Sequence, residues 1–235
     1  MGVEYECNDG AAWQQQLEGY ASFIEALNKP KLQELDGFYT RSLPSLVQQR
    51  HPSPFITAQE LVKVVQWKLS RGKWRPKLLS FASALTDDDV KTASLGSFLA
   101  LPDLKVAINA LTALKGVGPA TASAVLAAAA PDVAPFMSDE AMIAVMGSVK
   151  DYTLKQYLLY AEKLQCKAQE LTKTSGKEFS PSDLERALWC AAMEKRFPRS
   201  TEAQKKELQS EKRAKFKEGD DTLNKDLTRK RRKKI

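Results

Sequence analysis

Apolar residues recur along most of this chain at the three- and four-residue spacing that lines one face of a helix. Trp13, Leu17, Tyr20, Ile24 and Leu27 step by four, three, four and three, which predicts one amphipathic helix ended by Pro30. Leu32, Leu35 and Phe38 predict a second, short one. Between Leu43 and Phe55, the prolines at 44, 52 and 54 predict a loop or broken turns. Thr57-Ala-Gln-Glu60 is a capping box, which opens a helix through Leu61, Val64, Val65 and Leu69 that Arg71-Gly72 breaks.

Pro76 is placed to start the next helix, carrying Leu78, Leu79, Phe81 and Leu85. Thr86 followed by Asp87, Asp88 and Asp89 supplies an N-cap and first-turn acids for a helix ending near Leu101. Pro102-Asp103 opens a helix through Val106, Ile108, Leu111 and Leu114, which runs into Gly116-Val117-Gly118. Further helices are expected from Ala120 to Ala130, Asp139 to about Met146, Leu154 to Leu171 and Pro181 to Met193. No convincing run of alternating strands is found, so the expected fold class is all-α, with a folded body over residues 1–198 and a hairpin at about 103–130. From Arg199 onward apolar residues thin out, and Phe216, Leu223 and Leu227 are too sparse for a packed element. Residues 199–235 therefore read as a basic tail, disordered or transiently helical.

The 235 residues are 43% hydrophobic, enough for a real core. The net charge of +7 is uneven: Glu194 to Ile235 holds 16 basic against 8 acidic residues, a net +8, and everything before it carries −1. The basicity is thus a property of the tail. Cys7, Cys166 and Cys190 are odd in number and widely spaced, which suits a reducing compartment and cannot furnish a four-cysteine iron–sulfur or zinc site. His51, the single histidine, stands in His-Pro-Ser-Pro and argues against histidine-based metal or triad chemistry. No metal or cofactor is expected. Glu4, Glu6 and Asp9 interrupt the start, and no apolar run has membrane-spanning length, so the chain reads as soluble and intracellular, with no membrane partner.

Candidate chemistry concentrates at Leu114 to Ala127, LKGVGPATASAVLA. The two glycines permit a tight turn whose amides point outward together, and Val117 between them is expected to anchor it in the core. Pro119 suits a first helical position, and Thr121 and Ser123 follow in the first turns. An open helix N-terminus beside exposed amides is an anion site, and in double-stranded DNA that anion is a backbone phosphate, read without base sequence. A purely structural turn between antiparallel helices is the alternative. Lys115 adds a charge, and the candidate clamp is Lys115, Gly116, Val117, Gly118 and Thr121.

This stretch resembles the helix-hairpin-helix motif of the DNA glycosylase superfamily that includes endonuclease III, the adenine glycosylase MutY and 8-oxoguanine glycosylase. The resemblance implies a helix-hairpin-helix glycosylase-like helical fold. It also implies a catalytic aspartate at the start of a helix after the hairpin, a place that Asp139 occupies, nineteen residues beyond Ala120. In that family the carboxylate stabilises the sugar cation formed as an extruded base leaves. Ser138 as an ordinary N-cap, with Asp139 and Glu140 as ordinary first-turn acids, is the other reading of the same residues.

Three departures bear on activity. Bifunctional members carry a lysine two residues after the second hairpin glycine, where this chain has Ala120, so Schiff-base strand cleavage is expected to be absent. The family's aspartate is commonly followed by Thr/Val-His, and here by Glu140-Ala141; the C-terminal cysteine cluster of several branches is missing too. A broader likeness, in QWKLSRGKWRP and PFMSDEAM, is to the animal Amun-type nuclear proteins, which are related to DNA glycosylases. It spans about Trp13 to Met193.

Lys63, Lys68, Arg71, Lys73, Arg75 and Lys77 fall within fifteen residues without an acid, interleaved with Trp67 and Trp74. Arg71, Lys73, Trp74 and Arg75 are candidate DNA contacts, Trp67 reads as core, and a solvated charged turn is the alternative. Arg229, Lys230, Arg231, Arg232, Lys233 and Lys234 fit a nuclear import signal, which implies the import machinery as a partner and the nucleus as location. Two functions follow: a monofunctional base-excising enzyme, or a catalytically silent chromatin or regulatory protein that kept the fold.

Overall fold

The computed structural model describes residues 2–147 and 151–197, so the candidate import signal at 229–234 lies outside the described residues. Among them there are helices and no strands, and the protein is all-α. The helices are α1 (Gly10–Glu18), α2 (Tyr20–Ala26), α3 (Leu32–Gly37), α4 (Leu43–Gln49), α5 (Ala58–Arg71) and α6 (Pro76–Ser83). They continue with α7 (Asp87–Leu99), α8 (Leu104–Thr112), α9 (Pro119–Ala129), α10 (Asp139–Met146), α11 (Leu154–Ser175) and α12 (Pro181–Arg196). They belong to one unit that closes at Arg196.

Local chemistry accounts for most boundaries. Thr57 accepts from the Glu60 amide while Glu60 accepts from the Thr57 amide at 2.8 Å, the reciprocal box expected from the sequence. Thr86, Asp103, Ser138 and Thr153 cap α7, α8, α10 and α11 with their side chains.

Several boundaries differ from expectation, α12 among them, which runs to Arg196 rather than Met193. The first predicted helix is split at Gly19, where ψ opens to −12° and the helical ladder is interrupted. Residues Leu43 to Gln49, expected as loop, are helical because Pro44 sits in the first turn, where its missing N–H has no helical acceptor to lose. A π-turn over Phe38–Ser42 links α3 to α4. Helix α11 also runs past Leu171 to Ser175, ended by Gly176 in left-handed backbone.

Helix α9 is the centre of the body. Every residue from Thr121 to Ala128 is buried, and α4, α5, α8 and α11 all pack on it. Its alanines let those neighbours approach closely. The Tyr39 hydroxyl donates to the Ala124 carbonyl at 2.8 Å, and Trp67 stacks on the Tyr39 ring at 3.5 Å, so Trp67 is core as expected. Helices α10, α11 and α12 pack together beside this centre, and α8 meets α9 through the glycine hairpin.

Candidate functional site

The hairpin is fixed from below by Val117, which is buried and donates its amide to Leu114 at 3.1 Å. Gly116 takes φ +83°, and a Cβ built there would lie 2.4 Å from the Cβ of Phe81, so both backbone and space demand glycine. Gly118 is different from expectation: its φ of −97° and ψ of 176° are ordinary extended values, and a Cβ meets nothing within 4 Å. Its smallness therefore serves open space in front of the turn, and the turn itself does not need it.

Gly116 and Gly118 are exposed, and among the described residues their amides meet no hydrogen-bond acceptor. Lys115 is exposed beside them, with its ammonium 5.9 Å from the Phe81 ring centroid. Thr121, by contrast, is 4% exposed and gives its amide to Gly118. It belongs to a cleft wall and is removed from the exposed clamp.

That cleft, of about 380 Å³, joins the hairpin to the start of α10. Gly116, Gly118, Pro119, Ala120 and Thr121 from the hairpin and α9 line it together with Ser138, Asp139, Glu140 and Tyr152. Asp139 is the first residue of α10, and its side chain is 32% exposed. Its Oδ1 accepts from the Tyr152 hydroxyl at 2.6 Å, and its Oδ2 lies 3.7 Å from the Lys73 ammonium. Burial and the bond to Asp139 push the Tyr152 hydroxyl up to about 12. Glu140 points to a separate partner, the Arg196 guanidinium at 3.5 Å.

Lys73, Trp74 and Arg75 form the exposed turn between α5 and α6, with Trp74 60% exposed and the Arg75 guanidinium 5.9 Å from the Tyr152 ring centroid. Arg71 does not join them. It is 4% exposed, its Nη1 and Nη2 meet Glu185 at 3.0 and 3.4 Å, and its guanidinium lies 4.3 Å from the Trp189 ring centroid. As the last residue of α5 it turns inward to the one carboxylate that compensates it, so it cannot reach a backbone phosphate. Burial disfavours its charge, but Glu185, Tyr20 and Glu140 together outweigh this and hold the guanidinium above its ordinary pKa.

Sequence reasoning missed three contributors. Glu185 also accepts from Ser138 Oγ at 2.5 Å, tying the α10 cap to Arg71, and lies 114 positions from its arginine. Tyr152 stands before the Thr153 cap with no local sign of its bond to Asp139. Lys68, seen only as one charge of a cluster, is half-buried in the cleft lining. Burial lowers its pKa, Arg75 adds to the shift, and Asp139 opposes it. Comparison of the chain with protein families, curated proteins and solved structures finds no match.

Proposed function

We propose that this chain is a nuclear, double-stranded-DNA-binding protein of the helix-hairpin-helix glycosylase-like fold, and that it excises a base as a monofunctional N-glycosylase. One observation carries this reading: the partly exposed Asp139 carboxylate lines the same cleft as the hairpin glycines, whose amides meet no acceptor among the described residues. A backbone phosphate seated on Gly116, Gly118 and Lys115 brings the neighbouring nucleotide to the cleft, where it leaves the stack. As the bond from C1′ to the base nitrogen breaks, positive charge grows on the sugar and the Asp139 carboxylate stabilises it. The base leaves with the electrons of that bond, water adds to C1′, and the proton that water loses ends on the base nitrogen, so neutral free base departs.

Ala120 supplies no amine, so this cycle ends at an intact strand with an abasic site. Lys73, Trp74 and Arg75 extend the DNA-facing rim, and the tail signal directs import. A silent interaction protein is favoured by a different observation: both Asp139 oxygens already have partners, in Tyr152 and Lys73.

The deciding experiment incubates the full chain with duplexes carrying damaged or mismatched bases and measures free base and abasic sites. Release that disappears in Asp139→Asn, with duplex binding retained, supports the enzyme. Duplex binding without release from any substrate leaves the silent reader.

A further inference from the structure

Residues 72–77, Gly-Lys-Trp-Arg-Pro-Lys, are all exposed, and the Trp74 side chain among them is 60% open to solvent. Trp13, Trp67 and Trp189, by contrast, are at most 1% exposed. Among the described residues the Trp74 ring meets no other ring and no cation, and its indole N–H finds no acceptor. A second open aromatic lies nearby. Phe81 on α6 is 39% exposed, rests against Gly116, and has the Lys115 ammonium 5.9 Å from its ring centroid.

Neither aromatic lines the cleft, but both border it. Lys73 and Arg75, on either side of Trp74 in the chain, are lining residues, and so is the Gly116 that Phe81 touches. No acid falls between Glu60 and Asp87, and among the described residues Arg75, Lys77 and Lys115 form no ion pair. Unpaired cations attract any phosphate backbone. Open aromatic faces are more selective, because in an intact duplex each base is covered by its stacked neighbours. Unpaired bases offer their faces to a ring, and a strand of them brings the phosphates that the cations match.

We propose that Trp74 and Phe81, with Arg75, Lys77 and Lys115, form a platform for single-stranded DNA beside the cleft. Each aromatic ring stacks a base, and the cations hold the phosphates of the same strand. The platform uses neither Asp139 nor the hairpin amides, so it goes beyond the proposed function and stands whether or not a base is excised.

The test titrates the full chain with an oligothymidylate and with a strand of equal length whose sugars carry no bases, following tryptophan fluorescence. The two strands are equally charged, so attraction to the basic tail is common to both and stacking separates them. Oligothymidylate is expected to quench Trp74 and to bind about tenfold more tightly than the baseless strand. Trp74→Ala should abolish the quenching, and with Phe81→Ala added the two strands should bind within about twofold of each other. Where the double variant does not fold, Trp74→Ala alone decides. No quenching, quenching that survives in Trp74→Ala, or equal binding of both strands by the wild-type chain overturns the platform. An intact duplex separates the two proposals. Duplex binding by a chain whose Trp74 no strand quenches defeats the platform alone, and quenching by oligothymidylate in a chain that binds no duplex defeats the duplex reading alone.

Discussion

At Gly116 the backbone turns through φ +83° so close to Phe81 that an added methyl would lie 2.4 Å from the phenylalanine's Cβ. Gly116→Ala therefore combines left-handed strain with overlap against a packed side chain, and should cost about 2–4 kcal/mol in urea unfolding. Two positions on, Gly118→Val meets no neighbour and no forbidden angle, and should change stability by less than about 1 kcal/mol. Its branched side chain nonetheless stands in front of the exposed amides, so duplex affinity should fall about tenfold or more, read by fluorescence anisotropy. Unchanged affinity in a folded Gly118→Val protein would remove the hairpin from the DNA interface. The pair divides the Gly-Val-Gly motif into one glycine that makes the turn and one that keeps it open.

Elements were legible wherever their signal lay within a few residues. The Thr57 to Glu60 box fixes the start of α5 with four positions, and the hairpin is written into six. What failed needed context: Pro44 reads as a breaker unless it falls in a first turn, and nothing in the sequence says that α4 begins at Leu43. The same limit hid the partners of the site, since Arg71 meets Glu185, and Asp139 meets Tyr152, only through the packing of separate elements. Arg50 illustrates this too, reaching from the end of α4 to both oxygens of Glu60 in the α5 box at 2.8 Å. Burial raises the Glu60 pKa, but Arg50 and the Thr57 amide more than offset it and leave it lowered. A lowered folded-state pKa stabilises at pH values above the unfolded carboxyl, near 4.5, and this contribution is lost as pH falls through the folded value. Glu60→Gln should cost about 1–3 kcal/mol at pH 7 and much less at pH 3, measured by urea unfolding. An equal cost at both pH values would show that the ion pair is not its source.

On the scale of the whole molecule, charge and shape are divided between regions. The chain up to Met193 carries −1 and the region from Glu194 onward +8, so under the proposed function the latter is expected to supply most long-range attraction to DNA, and the hairpin and cleft to supply position. The two contributions differ in salt dependence, because each phosphate neutralised releases counterions and steepens the fall of log K with log salt by about 0.9. Deleting 229–235 removes six basic residues and should flatten that slope by up to about 5 for a duplex long enough to meet the tail. Gly118→Val changes no charge, so it should lower affinity at every salt concentration while leaving the slope nearly unchanged. A fluorescent fusion lacking 229–235 should also lose nuclear enrichment, and full nuclear retention would assign import to another segment. If the deletion left the slope intact, the phosphate contacts would instead reside in the body. Lys115, Lys73 and Arg75 around the cleft would then be the next cations to neutralise, each expected to remove about one unit of slope.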